Sequence, residues 1–210
     1  RQRQMCIRDS SEPIQTSYRN HIIYAHPPPA GGASVLLEGL NILENFQVEG
    51  LGPNSGRFLH LFAEALQRGH MDRSRFMGDP LFYDVPIKKI ISKERAKSLA
   101  KGINQNSVTP AGNLNPDSLL NEGENTTHYS IIDKFGNAVS TTYTLGYSFG
   151  SGVTIPGTGI LLDNQMNNFA YQYGNPEVIS RFASIGNKFE PGKRPMSTMT
   201  PIMMFDDNKA

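Results

Sequence analysis

Reading on from Thr126, two runs rich in β-branched and aromatic residues, Ser130-Ile131-Ile132 and Ala138-Val139-Ser140-Thr141-Thr142-Tyr143-Thr144, flank the polar stretch Asp133-Lys134-Phe135-Gly136-Asn137. Such residues suit a pleated surface, and a turn-forming cluster between two such runs marks a β-hairpin. A three-residue loop is usually a type I turn followed by a residue in the left-handed conformation, which glycine adopts at no steric cost. Taking Lys134, Phe135 and Gly136 as the loop sets Asp133 opposite Asn137 and, counting outward, Thr126 opposite Thr144. Side chains alternate along a strand, so Thr126, His128, Ser130, Ser140, Thr142 and Thr144 share one face. That face is rich in hydroxyl groups.

A threonine hydroxyl is a poor nucleophile until a base takes its proton. No His/Asp pair stands at obvious triad spacing. A chain cut before Thr126 would need no such pair, because the new α-amino group, with an ordinary pKa of about 7.7 to 8.0, becomes a base on the same residue. Spacing alone leaves the alternative open that these Ser and Thr residues are only the surface of a strand ladder.

The remaining composition narrows the function classes. A chain of 210 residues holds one sizeable domain with a proper core. Its net charge of +1 argues against a basic nucleic-acid footprint. No apolar run approaches the roughly 18 residues of a membrane helix. The only cysteine is Cys6, so neither a disulfide framework nor a cysteine metal site is expected, and His60 and His70 lack the i, i+4 spacing of a zinc pair. No metal or other cofactor is expected.

Along the chain, Tyr18 to Tyr24 reads as a short strand, followed by a turn forced by His26-Pro27-Pro28-Pro29-Ala30-Gly31-Gly32. Gly31-Gly32 opens a helix without the spacing of a phosphate-binding loop, which favours a packing role. Ser34 is the expected N-cap of that helix, with Leu36, Leu37, Leu40, Leu43 and Phe46 as its core face. Ser55 opens a second helix with Phe58, Leu61, Phe62, Ala65 and Leu66 on one stripe. Asp72 to Pro80 reads as an ion-paired loop, and Ser92 to Lys101 as a capped helix ending at Gly102. Asn104 to Gly123 lacks an apolar period and reads as a flexible linker. Ile160-Leu161-Leu162 is a continuous apolar run, the pattern of a strand covered on both faces. Gly192-Lys193-Arg194 lacks the GxxxxGK[ST] pattern of a phosphate loop.

The segments NTTHYSIIDKFGNAVSTTYTL, GTGILLDNQMNNF and GKRPMSTMTP, in that order, resemble the γ-glutamyltranspeptidase family of N-terminal-nucleophile hydrolases. Upstream, YRNHIIYAHPPPAGG, LNILENF and MDRSRFMGDP are similar too, so the likeness covers Glu12 to Phe205. It implies an α+β fold, an αββα four-layer sandwich with two antiparallel sheets between helices. It also implies a division of the chain. Residues 11–125 match the end of a large subunit and residues 126–210 the start of a small one, while Arg1 to Ser10 fits nothing in the family and reads as a non-native tail. The family's oxyanion glycines and its carboxylate-binding arginine fall outside these residues, so the chain is expected to be an inactive fragment by itself.

The roles implied by the resemblance fall on matching positions. Thr126 would attack the carbonyl of Asn125 in the precursor and then a γ-glutamyl amide in the mature enzyme, giving an acyl-enzyme that passes to water or to an amino-acid or peptide acceptor. Thr144 would orient the Thr126 hydroxyl or accept from its amine. Gln165 would accept from the substrate α-ammonium, and Ser197 and Thr198 would hold its α-carboxylate. Gly146 stands where the family usually has Asn, and Asn168 where it usually has Asp. An amide in place of a carboxylate removes a charge-assisted hydrogen bond and weakens recognition of an α-ammonium. An expected tyrosine of the lid region, Ala170 to Pro191, is not placed, with Ile179 near that position. Glutathione-like compounds are the implied substrates. A glutaryl or cephalosporin-type acylase, or a non-catalytic binding paralogue, are the alternatives. The implied location is the periplasm or the cell exterior.

Overall fold

The computed structural model describes residues 10–110, 126–170 and 184–206. Two antiparallel strands, β1 (Ile14–Tyr18) and β2 (His21–Ala25), are joined by Arg19 and Asn20, both at positive φ (47° and 63°). The expected single strand from Tyr18 to Tyr24 is therefore two strands meeting at a tight turn. The left-handed pair matches the twist of the flanking strands, and asparagine is among the residues that tolerate that conformation. The last strand, β5 (Ile202–Asp206), adds to β2, giving a three-stranded sheet in the order β1-β2-β5.

Among the described residues, four helices follow β2: α1 (Gly31–Leu43), α2 (Gly56–Phe76), the single turn α3 (Ile87–Ile90) and α4 (Lys93–Ala100). Ser55 caps α2 by accepting from Phe58 N at 3.2 Å, and Ser92 caps α4 by accepting from Arg95 N at 3.2 Å, both as expected. α1 differs. It begins at Gly31, with Ala30 as N-cap, and Ser34 lies inside it with its hydroxyl donating to Gly31 O. A distant partner replaces the side-chain cap, since Gly31 N donates to Ser197 O at 2.7 Å.

The apolar face of α1 is also broader than a stripe. Val35, Leu37, Ile42 and Leu43 are buried, Leu36 and Leu40 are half-buried, and Phe46 lies beyond the helix. The helix is wedged between the sheet and the other helices, and a helix covered on most sides shows no clean period. One cluster joins Ala33 and Leu37 to Ile23 and Ala25 of the sheet, and another joins Ile42 and Leu43 to Leu61, Ala65, Ala96 and Ala100. Full burial of a side chain such as Leu37 contributes about 1.5–3 kcal/mol. The expected stripe of α2 is present, with Leu61 and Ala65 buried and Phe58, Phe62 and Leu66 half-buried.

Polar groups tie these layers. Asn41, fully buried, donates to Ile91 O at 2.7 Å and accepts from Thr16 Oγ1 at 2.9 Å, linking α1 to the sheet and to the start of α4. Asp72 belongs to α2 and not to a loop, because the helix continues to Phe76. Its carboxylate takes two hydrogen bonds from Arg95, which also reaches Glu38 at 3.3 Å. Glu38 is fully buried, and burial together with the neighbouring Asp72 carboxylate pushes its pKa up to about 9 against the pull of Arg95.

The hairpin β3 (Thr126–Ile132) and β4 (Ala138–Thr144) forms a separate two-stranded sheet. Ile160, Leu161 and Leu162 do not form a covered strand. Leu162 N donates to Val153 O and Ile155 N to Ile160 O, so the run folds back on its own neighbours. Among the described residues nothing covers it, and Ile160 is 58% exposed.

Candidate active site

The register of the hairpin is the one its turn dictates. Asp133 N donates to Asn137 O and Gly136 N to Asp133 O, with Gly136 at φ 86°. Asp133 Oδ1 accepts from the amides of Phe135 and Asn137, which closes the loop. Counting back from that turn, Thr126 pairs with Thr144, His128 with Thr142 and Ser130 with Ser140. The hydroxyl face is thus assembled as expected. His128 spans it, with Nδ1 2.7 Å from Thr142 Oγ1 and Nε2 3.3 Å from Ser130 Oγ.

The last residue of β4 enters a cavity. Thr144 and Ser140 line a space of about 820 Å³ together with Gln165, Ser197, Arg194, His26 and Tyr24. Its walls come from five places: residues 10–13, the end of β2 with the proline turn after it, the hairpin, Gln165, and the segment 194–205, which includes most of β5. Ser197 is fixed by main-chain bonds in both directions, its N donating to Pro29 O at 3.0 Å and its O accepting from Gly31 N. The approach is close enough that a Cβ on Gly32 would lie 2.0 Å from Thr200 Oγ1, so the glycine pair serves packing.

Thr144 Oγ1 accepts from Gly146 N at 2.9 Å, and its own hydrogen remains available to donate. Gly146 has φ 91°, and a Cβ there would fall 1.8 Å from Asn164 Oδ1. The asparagine that fills that space also accepts from Tyr147 N at 3.0 Å. Gly146 therefore carries no side chain because a neighbouring one occupies its place.

Gln165 and Asn168 open and close one 3-10 turn, Gln165–Asn168, in which Asn168 Nδ2 donates to Gln165 Oε1 at 2.7 Å. Thr198 accepts from Thr200 Oγ1 through its main-chain oxygen. Of the residues expected at the site, Thr144, Gln165 and Ser197 line the cavity; Thr126 stands opposite Thr144 in the ladder, and Gly146, Asn168 and Thr198 stand beside lining residues. Asn125 and Ile179 lie outside the described residues.

Four contributors are absent from the expected site residues, although Ser140 is expected on the hydroxyl face. Ser140 Oγ is buried with no partner among the described residues, a group a ligand could satisfy. Arg194 enters the cavity wall braced by Asp79, which is fully buried and takes bonds from Arg194 N, Nε and the terminal nitrogen at 2.9, 3.1 and 2.8 Å. Burial pushes the Asp79 carboxyl up, but the bonds from Arg194 and from Leu81 N outweigh it and hold it below its ordinary value. The charge mix in Asp72 to Pro80 signalled an ion pair without naming its partner. Asn187, fully buried, had no sequence signal at all. Among the described residues no three His, Cys, Asp or Glu side chains converge as metal ligands would.

Residues 8–210 match the family model for gamma-glutamyltranspeptidase. The chain belongs to that family. Among the relatives of this γ-glutamyltranspeptidase-family chain are the glutathione hydrolase proenzyme of Escherichia coli, 40% identical over 198 residues, and the acylase ACY 1 proenzyme of a Pseudomonas species, 34% identical over 210 residues. Each match covers 94% of this chain, but only 34% and 33% of those relatives, so the chain spans about a third of their length. The crystal structure of a cephalosporin acylase from Bacillus halodurans superposes with a TM-score of 0.73 at 29% identity, over 94% of this chain and 32% of the acylase. The relatives thus include both a hydrolase and an acylase by name.

Proposed function

We propose that the protein is an autoprocessed γ-glutamyl amide hydrolase and acyltransferase whose nucleophile is Thr126. The observation that carries this reading is the pairing of Thr126 with Thr144 on a hydroxyl face whose end opens into the cavity of Gln165 and Ser197. In the precursor, the Thr126 hydroxyl attacks the Asn125 carbonyl; the Oγ–C bond forms as the C–N bond breaks, and water then hydrolyses the ester. The freed α-amine takes the hydroxyl proton when Thr126 attacks a γ-glutamyl amide, and delivers it to the leaving amine. The acyl-enzyme passes to water or to the amine of an amino acid or peptide. Thr144, already accepting from Gly146 N, donates to and orients the nucleophile.

The same reading divides the chain at Thr126 into large-subunit residues 11–125 and small-subunit residues 126–210, within a four-layer αββα sandwich. Ser197 and Thr198 hold the substrate carboxylate, and Gln165 its α-substituent. No helix among the described residues is long and apolar enough to cross a membrane, and the family supports a periplasmic or extracellular setting.

A second reading is favoured by one contact. Gln165 Oε1, the acceptor meant for an α-ammonium, is taken by Asn168 Nδ2. With that oxygen already paired to an amide, the site suits a glutaryl compound, which has no ammonium to satisfy. The likeness to acylases supports it.

The test is the intact mass of the full-length gene product beside its Thr126→Ala variant, followed by turnover of γ-glutamyl and glutaryl anilides. Two chains, the smaller starting at Thr126, with both cleavage and turnover lost in the variant, are expected. An uncut wild type with full activity would refute the mechanism, and preference for the glutaryl anilide would select the acylase reading.

A further inference from the structure

Asn187 joins the turn that begins at Gln165 to the segment that carries Ser197. It ends the 3-10 turn Ile185–Asn187 and is fully buried. Its Nδ2 donates to Asn168 O at 2.6 Å, while its Oδ1 accepts from Met196 N at 2.9 Å. Its main-chain O accepts from Ala170 N at 2.9 Å. On one side, therefore, Asn187 grips the end of the turn that presents Gln165; on the other, it grips the residue before Ser197. With the Asn168–Gln165 bond, a path runs from the Met196 backbone through the Asn187 side chain, the Asn168 main chain and the Asn168 side chain to the Gln165 head group.

The seat of Asn187 is rigid. A Cβ on Gly186 would lie 2.4 Å from the Tyr83 ring, and a Cβ on Gly78 would lie 2.2 Å from Gly186 O. The turn is thus pressed between Gly78 and Tyr83 and pinned by Ser184 Oγ, which accepts from Gly186 N at 3.1 Å. Met196, whose N–H it holds, is itself fully buried. Binding groups set on a loop reach useful precision only when surrounding hydrogen bonds lock them.

We propose that Asn187 is a positioning residue, fixing the distance and angle between Gln165 and Ser197 so that the two ends of one substrate are met together. The proposal rests on the reading of Gln165 and Ser197 as substrate contacts. Asn187 touches neither substrate nor the reacting atoms. Its loss therefore acts on binding in the ground state and the transition state alike, which raises KM and leaves kcat.

Asn187→Asp keeps the acceptor for Met196 N–H and removes the donor to Asn168 O. In the full-length protein we expect complete cleavage before Thr126, kcat within about twofold of wild type and KM for the preferred anilide raised about tenfold or more, the scale of one buried hydrogen bond left unmade. Asn187→Ser, shorter and still polar, gives the same split should the first variant fail to fold. Unchanged KM in a processed variant overturns the proposal, as does an equal loss in kcat without a change in KM. A second readout is independent of turnover. The side-chain amide signals of Gln165 in a ¹⁵N spectrum shift in N187D and not in the surface control Asn45→Asp. If the wild type neither cleaves nor turns over, the proposed function fails while this spectrum still decides the coupling; unmoved Gln165 signals then refute it.

Discussion

Thr126 and Thr144 face each other across the β3–β4 ladder, and the Thr144 hydroxyl already accepts from Gly146 N at 2.9 Å. The hydroxyl's own hydrogen remains available to a partner across the strand. Thr144→Val keeps the branched shape and removes the donor. Turnover should fall about 10²-fold or more, the scale of one positioned donor in an active site, and cleavage before Thr126 should slow. Thr144→Ser should recover most of the loss. Steady-state kinetics and a mass-spectrometric time course would read both, and an active valine variant would exclude the role.

Asn168 ties up Gln165 Oε1 at 2.7 Å. In Asn168→Asp the donor becomes an acceptor, and an ammonium could bind between Gln165 and the new carboxylate. Charge-assisted hydrogen bonds are about twice as strong as neutral ones. The ratio of γ-glutamyl to glutaryl turnover should therefore rise about tenfold, measured as kcat/KM for the two anilides. An unchanged ratio would mean that this amide pair does not read the α-position.

Glu38 is fully buried between Asp72 and Arg95, and its pKa is pushed up to about 9. A carboxyl whose folded pKa exceeds its unfolded value of about 4.3 contributes stability that is complete below the unfolded value and is lost as pH rises towards the folded one. Wild-type Tm should thus fall across pH 5 to 9. Glu38→Gln is neutral throughout and should flatten that fall, becoming the more stable protein at pH 8–9. Calorimetry at pH 5, 7 and 9 would show it; parallel curves for the two proteins would contradict the buried neutral acid.

Asp79 works in the opposite sense. Its folded pKa is depressed, so its contribution is complete above about pH 4 and disappears as pH falls through the folded value. Asp79→Asn leaves Arg194 without its carboxylate in the cavity wall. Because the Arg194 side chain is 36% exposed, the cost should sit below that of a fully buried pair, about 1–3 kcal/mol. Denaturant titration at pH 7 and pH 3 should show the difference between variant and wild type shrinking at the lower pH.

Legibility followed the range of the interactions. The hairpin register rests on one glycine and an aspartate within five residues of each other, so the turn carried its own instructions and Thr126 landed opposite Thr144 as counted. The caps at Ser55 and Ser92 are equally local, each hydroxyl meeting an amide three residues on. The start of α1 was misplaced because its first amide is capped by Ser197 O, from the far end of the chain, and a side-chain rule cannot see that partner. Ile160 to Leu162 looked buried because apolar runs usually are, yet burial depends on what is packed above them.

By itself, then, the sequence determined the family, the hairpin with its hydroxyl face, and the residue types of the chemistry, because turn geometry and strand alternation act over a few residues. Beyond the hairpin, tertiary structure alone decided which of those residues meet. The cavity brings together a proline turn, a strand end and a late loop; Arg194 is aimed by Asp79; and Gln165 is joined to Ser197 through Asn187. Those contacts are hydrogen bonds between groups far apart along the chain, whose partners are chosen only when the packed helices and sheet fix their distance.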